Sequence, residues 1–255
     1  MTLNKIFLLL FVALLIFKTN SAQDLNPKYH KVVKDFIDLI KNNQQEKLFE
    51  QISFPFQRRY PLPPIKNSKD FSKRYHEVFD ENLKTKILTS DISKDWADVG
   101  WRGIMLHNGI LWIDYDGSLI SINQQSRVEK AKKKKLIEID KRSIHNSLQE
   151  FKNPILILET KKFKVRIDEL NDGSFRYASW NIKANMSAKP NIILTDGEMI
   201  REGSGGNHRY IFKNRAYRYE CVINYLGSAD SPPAHLKVYK NEKEILSAPA
   251  HTLKD

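Results

Sequence analysis

Side chains able to move protons gather in one short stretch of this chain. Asp98, Arg102, His107, Asp114 and Asp116 all fall within residues 98–123, and carboxylates beside a histidine are the materials of general acid–base catalysis. Turn chemistry accounts for two of them without catalysis: Asp116 precedes Gly117, and His107 adjoins Asn108-Gly109, both pairs typical of hairpin turns. Asp114 alternates with Trp112 and so shares its face of a strand. No interval in the sequence pairs these groups as acid and base. The seven histidines, at 30, 76, 107, 145, 208, 235 and 251, show no metal-ligand spacing, so no metal is expected. No cofactor is expected either. Gly203-Ser-Gly-Gly206 lacks the lysine-threonine ending and the following helix of a phosphate-binding loop, and Ser204, with no nucleophile elbow around it, reads as a turn residue. The one cysteine, Cys221, lies in the alternating stretch 217–223 and reads as a buried structural thiol.

Recognition chemistry is better represented. Arginines and aromatics interleave at 175–180, where Arg176 and Trp180 stand, and again at 210–219. Trp, Tyr and Arg are enriched at interface hot spots, and they also form ordinary cross-strand pairs. With Trp101, Arg102, Trp112 and Asp114 in the first half and Ser204, His208 and Arg209 in the second, these are the candidate binding residues.

The elements that must position them follow from periodicity. Residues 1–22 carry Lys5, an unbroken apolar run from Ile6 to Phe17, and a small-residue end at Ala22, the pattern of a cleavable secretory signal. The run is shorter than the roughly 20 residues needed to cross a bilayer core. Pro27 to Gln51 places apolar residues three and four apart, as an amphipathic helix or a pair of helices broken at Asn42-Asn43. Prolines at 61, 63 and 64 impose an extended connection. Helix resumes at Ser68, the expected N-cap, with an apolar stripe from Phe71 to Leu88. Residues 98–123 read as three short strands. Helices followed by such a meander predict an α+β unit over 23–125.

Residues 126–150 hold the run Lys132 to Lys135 among acidic residues and form a charged linker helix. From 151 to 255 eight short strand-like segments alternate with turn residues, predicting an antiparallel β barrel or sandwich. The chain carries a formal net charge of +12, of which the export segment removes only Lys5 and Lys18. Anionic surfaces are therefore natural partners. Export points to cell-wall polymers, membrane headgroups or an envelope protein, and away from nucleic acid. The periplasm is the expected compartment.

The first half resembles the nuclear-transport-factor-2-like, or cystatin-like, α+β cone. The likeness rests on the helix ending Lys47 to Phe56 and on the hairpins around Gly100-Trp-Arg-Gly103 and Gly109 to Ile113. Uncharacterised exported bacterial proteins share a Val-Gly-Trp-Arg-Gly pattern, here Val99 to Gly103. The resemblance implies a small-molecule pocket in the cone or a homodimer face, with Asp114 as the residue for proton transfer if the cone is an enzyme. The second half is similar to the β barrels of periplasmic inhibitors of C-type lysozyme, through Gly203 to Tyr210, although the disulfide of that family is impossible with one cysteine. Together these features point to an exported binding protein of the cell envelope without catalysis, with an inhibitor of a cell-wall-degrading enzyme and a small-molecule enzyme as the alternatives.

Overall fold

The computed structural model describes residues 24–203, 205–228 and 230–253. The export segment expected at 1–22 and the candidate Ser204 lie outside them. No helix among the described residues is long and apolar enough to cross a membrane.

The N-terminal unit begins with α1 (His30–Lys41) and α2 (Gln45–Glu50). They are separated where expected, at Asn42-Asn43, with Asn43 at φ 50°. The apolar stripe after the prolines is cut in two. Helix α3 (Ser68–Val78) ends at Phe79, and α4 (Glu81–Leu88) restarts because the Asp80 carboxylate caps the Leu83 N–H at 2.9 Å. The cap of α3 is Asn67 and not Ser68: its side chain accepts from the Asp70 N–H at 3.0 Å.

Four strands follow, one more than the sequence pattern indicates: β1 (Trp96–Asp98), β2 (Ile104–Leu106), β3 (Leu111–Ile113) and β4 (Leu119–Ile122). They form an antiparallel meander. The extra strand is β1, which ends on the Asp98 where the sequence reading begins its first. Phe36, Phe71, Tyr75, Phe79, Trp96, Ile104, Leu111 and Ile113 are each no more than 1 % exposed, so side chains occupy the interior between helices and sheet.

Helix α5 (Arg127–Ser143) is the charged linker helix, capped by Ser126, whose hydroxyl accepts from the Glu129 N–H at 3.0 Å. Beyond it, β5 (Asn153–Glu159), β6 (Phe163–Glu169), β7 (Phe175–Asn181), β8 (Ile192–Arg201), β9 (His208–Asn214), β10 (Tyr217–Ile223), β11 (Ala234–Lys240) and β12 (Lys243–Leu253) pair in chain order. The circle closes through His251–Leu253 of β12 against Ile157–Glu159 of β5. This is an eight-stranded antiparallel barrel, so the chain is a mixed α+β protein with a closed barrel and not a sandwich.

Alternation along the strands fills the barrel. Val165, Ile167, Tyr177, Phe212, Cys221 and Leu236 point inward and are buried. Asp196-Gly197, a turn pair by composition, instead lies inside β8. Asp196 takes φ 58°, and the register against β7 shifts there, so the pair acts as a bulge. Gly197 is required by packing: a Cβ on it would stand 2.1 Å from the Phe212 ring.

Helix α5 ties the two units together at both ends. Near its start Glu129 receives both Nε (2.7 Å) and Nη2 of Arg58. Near its end Asp140 receives Nη1 (2.8 Å) and Nη2 (2.6 Å) of Arg166 on the outer wall of the barrel. Between them Lys132 pairs with Glu77 of α3 at 3.0 Å.

Candidate functional site

The proline-bearing segment lies over one mouth of the barrel. Phe56 and Ile65, both buried, exchange backbone hydrogen bonds of 2.8 and 2.9 Å and pinch residues 57–64 into a closed loop. Arg58 anchors one side of this loop to α5, and Arg74 of α3 donates to the Pro63 carbonyl at 3.0 Å. The prolines fix the backbone between these anchors.

Under the loop lies a cavity of about 370 Å³, within the size range of sites for small organic ligands. Pro61 and Leu62 line it from above. Ile155, Leu156, Tyr210 and Ile223 form its floor, which is the upper layer of the barrel core. Around the rim stand Arg59, Lys133, Glu169, His208 and Tyr225. Both units and the connecting helix therefore contribute walls.

The rim carries net positive charge. Glu169 is already engaged by Lys152 (2.6 Å) and Asn153 (2.8 Å), and the Lys152 hydrogen bond holds its carboxyl below the usual range. Lys133 donates to the neutral Asn153 Oδ1 at 2.9 Å. Burial, and next the positive charge of Arg59, push its ammonium pKa down. On the floor, burial pushes the Tyr210 phenol up to about 12, so it stays a neutral hydroxyl.

The expected site residues are dispersed around this geometry. His208 is on the rim: its Nδ1 lies 2.8 Å from the Gly206 carbonyl, and its ring stacks on Tyr225 with centroids 5.9 Å apart. The Asn207 side-chain Oδ1 accepts from the Tyr225 and Leu226 N–H groups, both at 2.8 Å, and this fastens the glycine loop to the loop after β10. Arg209 points outward to Glu202 (3.1 Å) and Glu220 (3.6 Å).

Arg176 and Trp180 are internal, whereas the sequence pattern suggests an exposed basic-aromatic face. Arg176 binds Asp168 at 2.7 Å and the Leu148 and Glu150 carbonyls. Trp180 is 1 % exposed and donates to the Ala188 carbonyl at 2.8 Å. The outer wall of β6 and β7 is covered by α5 and by residues 144–151, which explains the burial.

In the N-terminal unit Trp101 is 64 % exposed, and Arg102 lies over the Trp112 ring. The Asp114 carboxylate accepts from the Tyr115 N–H and shapes the turn before β4. The interior beneath them is the filled core already described. Among the described residues no group of three His, Cys, Asp or Glu side chains stands where it could hold a metal ion.

Arg59, Tyr60 and Lys133 are absent from the sequence-based candidates. Residues 58–60 place two arginines and a tyrosine directly before a proline cluster. That is a sign of a presented loop, and a reading of the prolines as a mere connection passes over it. Lys133 is one of four consecutive lysines, and only the orientation of the helix separates it from its solvated neighbours. Compared with protein-family models, with curated proteins and with solved structures, the chain matches none at a significant level.

Proposed function

We propose that this is an exported binding protein that holds a small organic ligand at the covered mouth of its barrel. The observation that carries the reading is the cavity whose walls come from three separate parts of the chain: the proline loop, α5 and the strand ends of the barrel. A cavity bounded by anchored elements is preorganised, and little conformational freedom is lost when a ligand fills it. In this reading the helices-and-meander unit has the nuclear-transport-factor-2-like form expected from its sequence and serves as the support of the cover. Export to the periplasm follows from the expected signal at 1–22, and the ligand is one met in the cell envelope.

A neutral apolar fluorophore tests the site. N-phenylnaphthylamine is expected to bind the wild type with a rise in emission. Ile155→Trp, which puts bulk into the floor, is expected to weaken binding on the order of tenfold, equivalent to about 1.4 kcal/mol. Trp101→Ala, at an exposed residue outside the cavity lining, is expected to leave it unchanged. Equal affinity in the wild type and Ile155→Trp refutes the location.

A further inference from the structure

We infer that the ligand is an amphipathic anion: an apolar or aromatic body seated on the barrel core, with one acidic head held between Arg59 and Lys133. The inference rests on the binding reading above and adds the chemistry of the occupant.

Three features of the cavity select this class. Its walls are mainly apolar, with Pro61 and Leu62 above and Ile155 and Ile223 below, so the body of the ligand must tolerate transfer out of water. Its rim carries more cation than it neutralises. Arg58 is committed to the buried Glu129, and Glu169 to Lys152 and Asn153. Arg59 and Lys133 face the cavity beyond these pairs, and the nearest partner of Lys133 is an uncharged amide oxygen. Two like charges at one rim repel each other, and an anion placed between them replaces that repulsion with two attractions. Burial, and next the Arg59 charge, depress the Lys133 pKa; Glu169 opposes them and Lys152 adds to them, so positive charge predominates around this ammonium.

The approach is also positive. A shallow groove between α5 and the barrel shares Lys133 and Asn153 with the cavity and is lined further by Lys130, Lys134, Lys141 and Lys152 against one carboxylate, Glu138. Such a lysine-lined path draws anions toward the rim and raises their association rate. A carboxylate, phosphate or sulfonate satisfies the head position alike. The shape of the cavity sets the demand on the body.

Two fluorescent probes of nearly the same aromatic body separate head from body: anilinonaphthalene sulfonate, an anion, and N-phenylnaphthylamine, its neutral counterpart. The full chain is expected to bind the sulfonate more tightly. Arg59→Gln and Lys133→Gln are each expected to weaken the sulfonate on the order of tenfold and to leave the neutral probe within twofold. Added salt is expected to weaken the sulfonate alone. Arg59 is exposed, so its variant keeps the test valid should Lys133→Gln fold poorly. If both probes bind equally and neither variant separates them, the acidic head is refuted while the binding site stands. If neither probe binds, or if Ile155→Trp leaves both unmoved, the site itself is refuted.

Discussion

Removing Arg58 is expected to cost more than any surface change on this protein. Its guanidinium and the Glu129 carboxylate have side-chain exposures of 2 % and 0 %. Arg58 also donates to the Ile122 and Gln124 carbonyls. Arg58→Ala strands a buried carboxylate and two carbonyls, a loss of about 3–5 kcal/mol where one partner of a buried pair is deleted. For cooperative unfolding of a chain this size, about 2–4 °C of Tm is lost per kcal/mol, so the expected drop is roughly 6–20 °C. Because Arg58 also anchors the proline loop, probe binding at the barrel mouth should fall with it. Combining Arg58→Met with Glu129→Leu removes the stranded charge and is expected to recover most of the stability. Urea unfolding and calorimetry of the three proteins measure these differences. A loss under about 1 kcal/mol for Arg58→Ala, the scale of an exposed ion pair, would refute the pair as the anchor of loop and helix.

Other outcomes follow from the barrel. Gly197→Ala drives a methyl to 2.1 Å from the Phe212 ring; a destabilisation of about 1–3 kcal/mol is expected from overpacking, read by urea unfolding. Arg176→Ala leaves the Asp168 carboxylate with one of its two arginines and should cost about 3 kcal/mol or more in the same assay. The Cys221 thiol is fully buried, and burial raises its pKa well above the ordinary value. The unfolded thiol ionises near pH 8.5 while the folded one stays protonated, so the native state binds more protons and stability falls as pH rises above that point. The thiol's own contribution to the slope approaches about 1.4 kcal/mol per pH unit between roughly pH 9 and 10, and buried tyrosines such as Tyr177 and Tyr210, raised in the same direction, add to it. Cys221→Ala should remove the thiol's part and leave the tyrosines' part, whatever the variant does to stability at neutral pH.

Local pattern reveals local structure in this chain, and the site is a product of long-range assembly. All eight barrel strands are legible because Val165, Ile167, Tyr177 and Cys221 alternate with outward residues. Closure is not legible, since it depends on three residue pairs between β12 and β5, almost a hundred residues apart, and a sandwich has the same alternation. The break after α3 was within reach: Asp80 before Glu81 is a capping signal. Arg176 and Trp180 misdirect the eye because an outward strand position is normally solvated, and nothing local announces that α5 lies across it. The cavity is hidden for the same reason. Arg59, Lys133 and Tyr210 come from three elements, and each has an ordinary explanation in its own segment: a loop charge, a solvated helix lysine and an inward strand tyrosine.

Native mass spectrometry of the full chain purified from its own source, beside Ile155→Trp purified identically, tests the central claim most directly. The account predicts that the wild type carries a small organic adduct at the barrel mouth and that the variant, with its floor filled, has lost it. Equal adduct on both proteins, or none on either, contradicts a binding site under the proline loop.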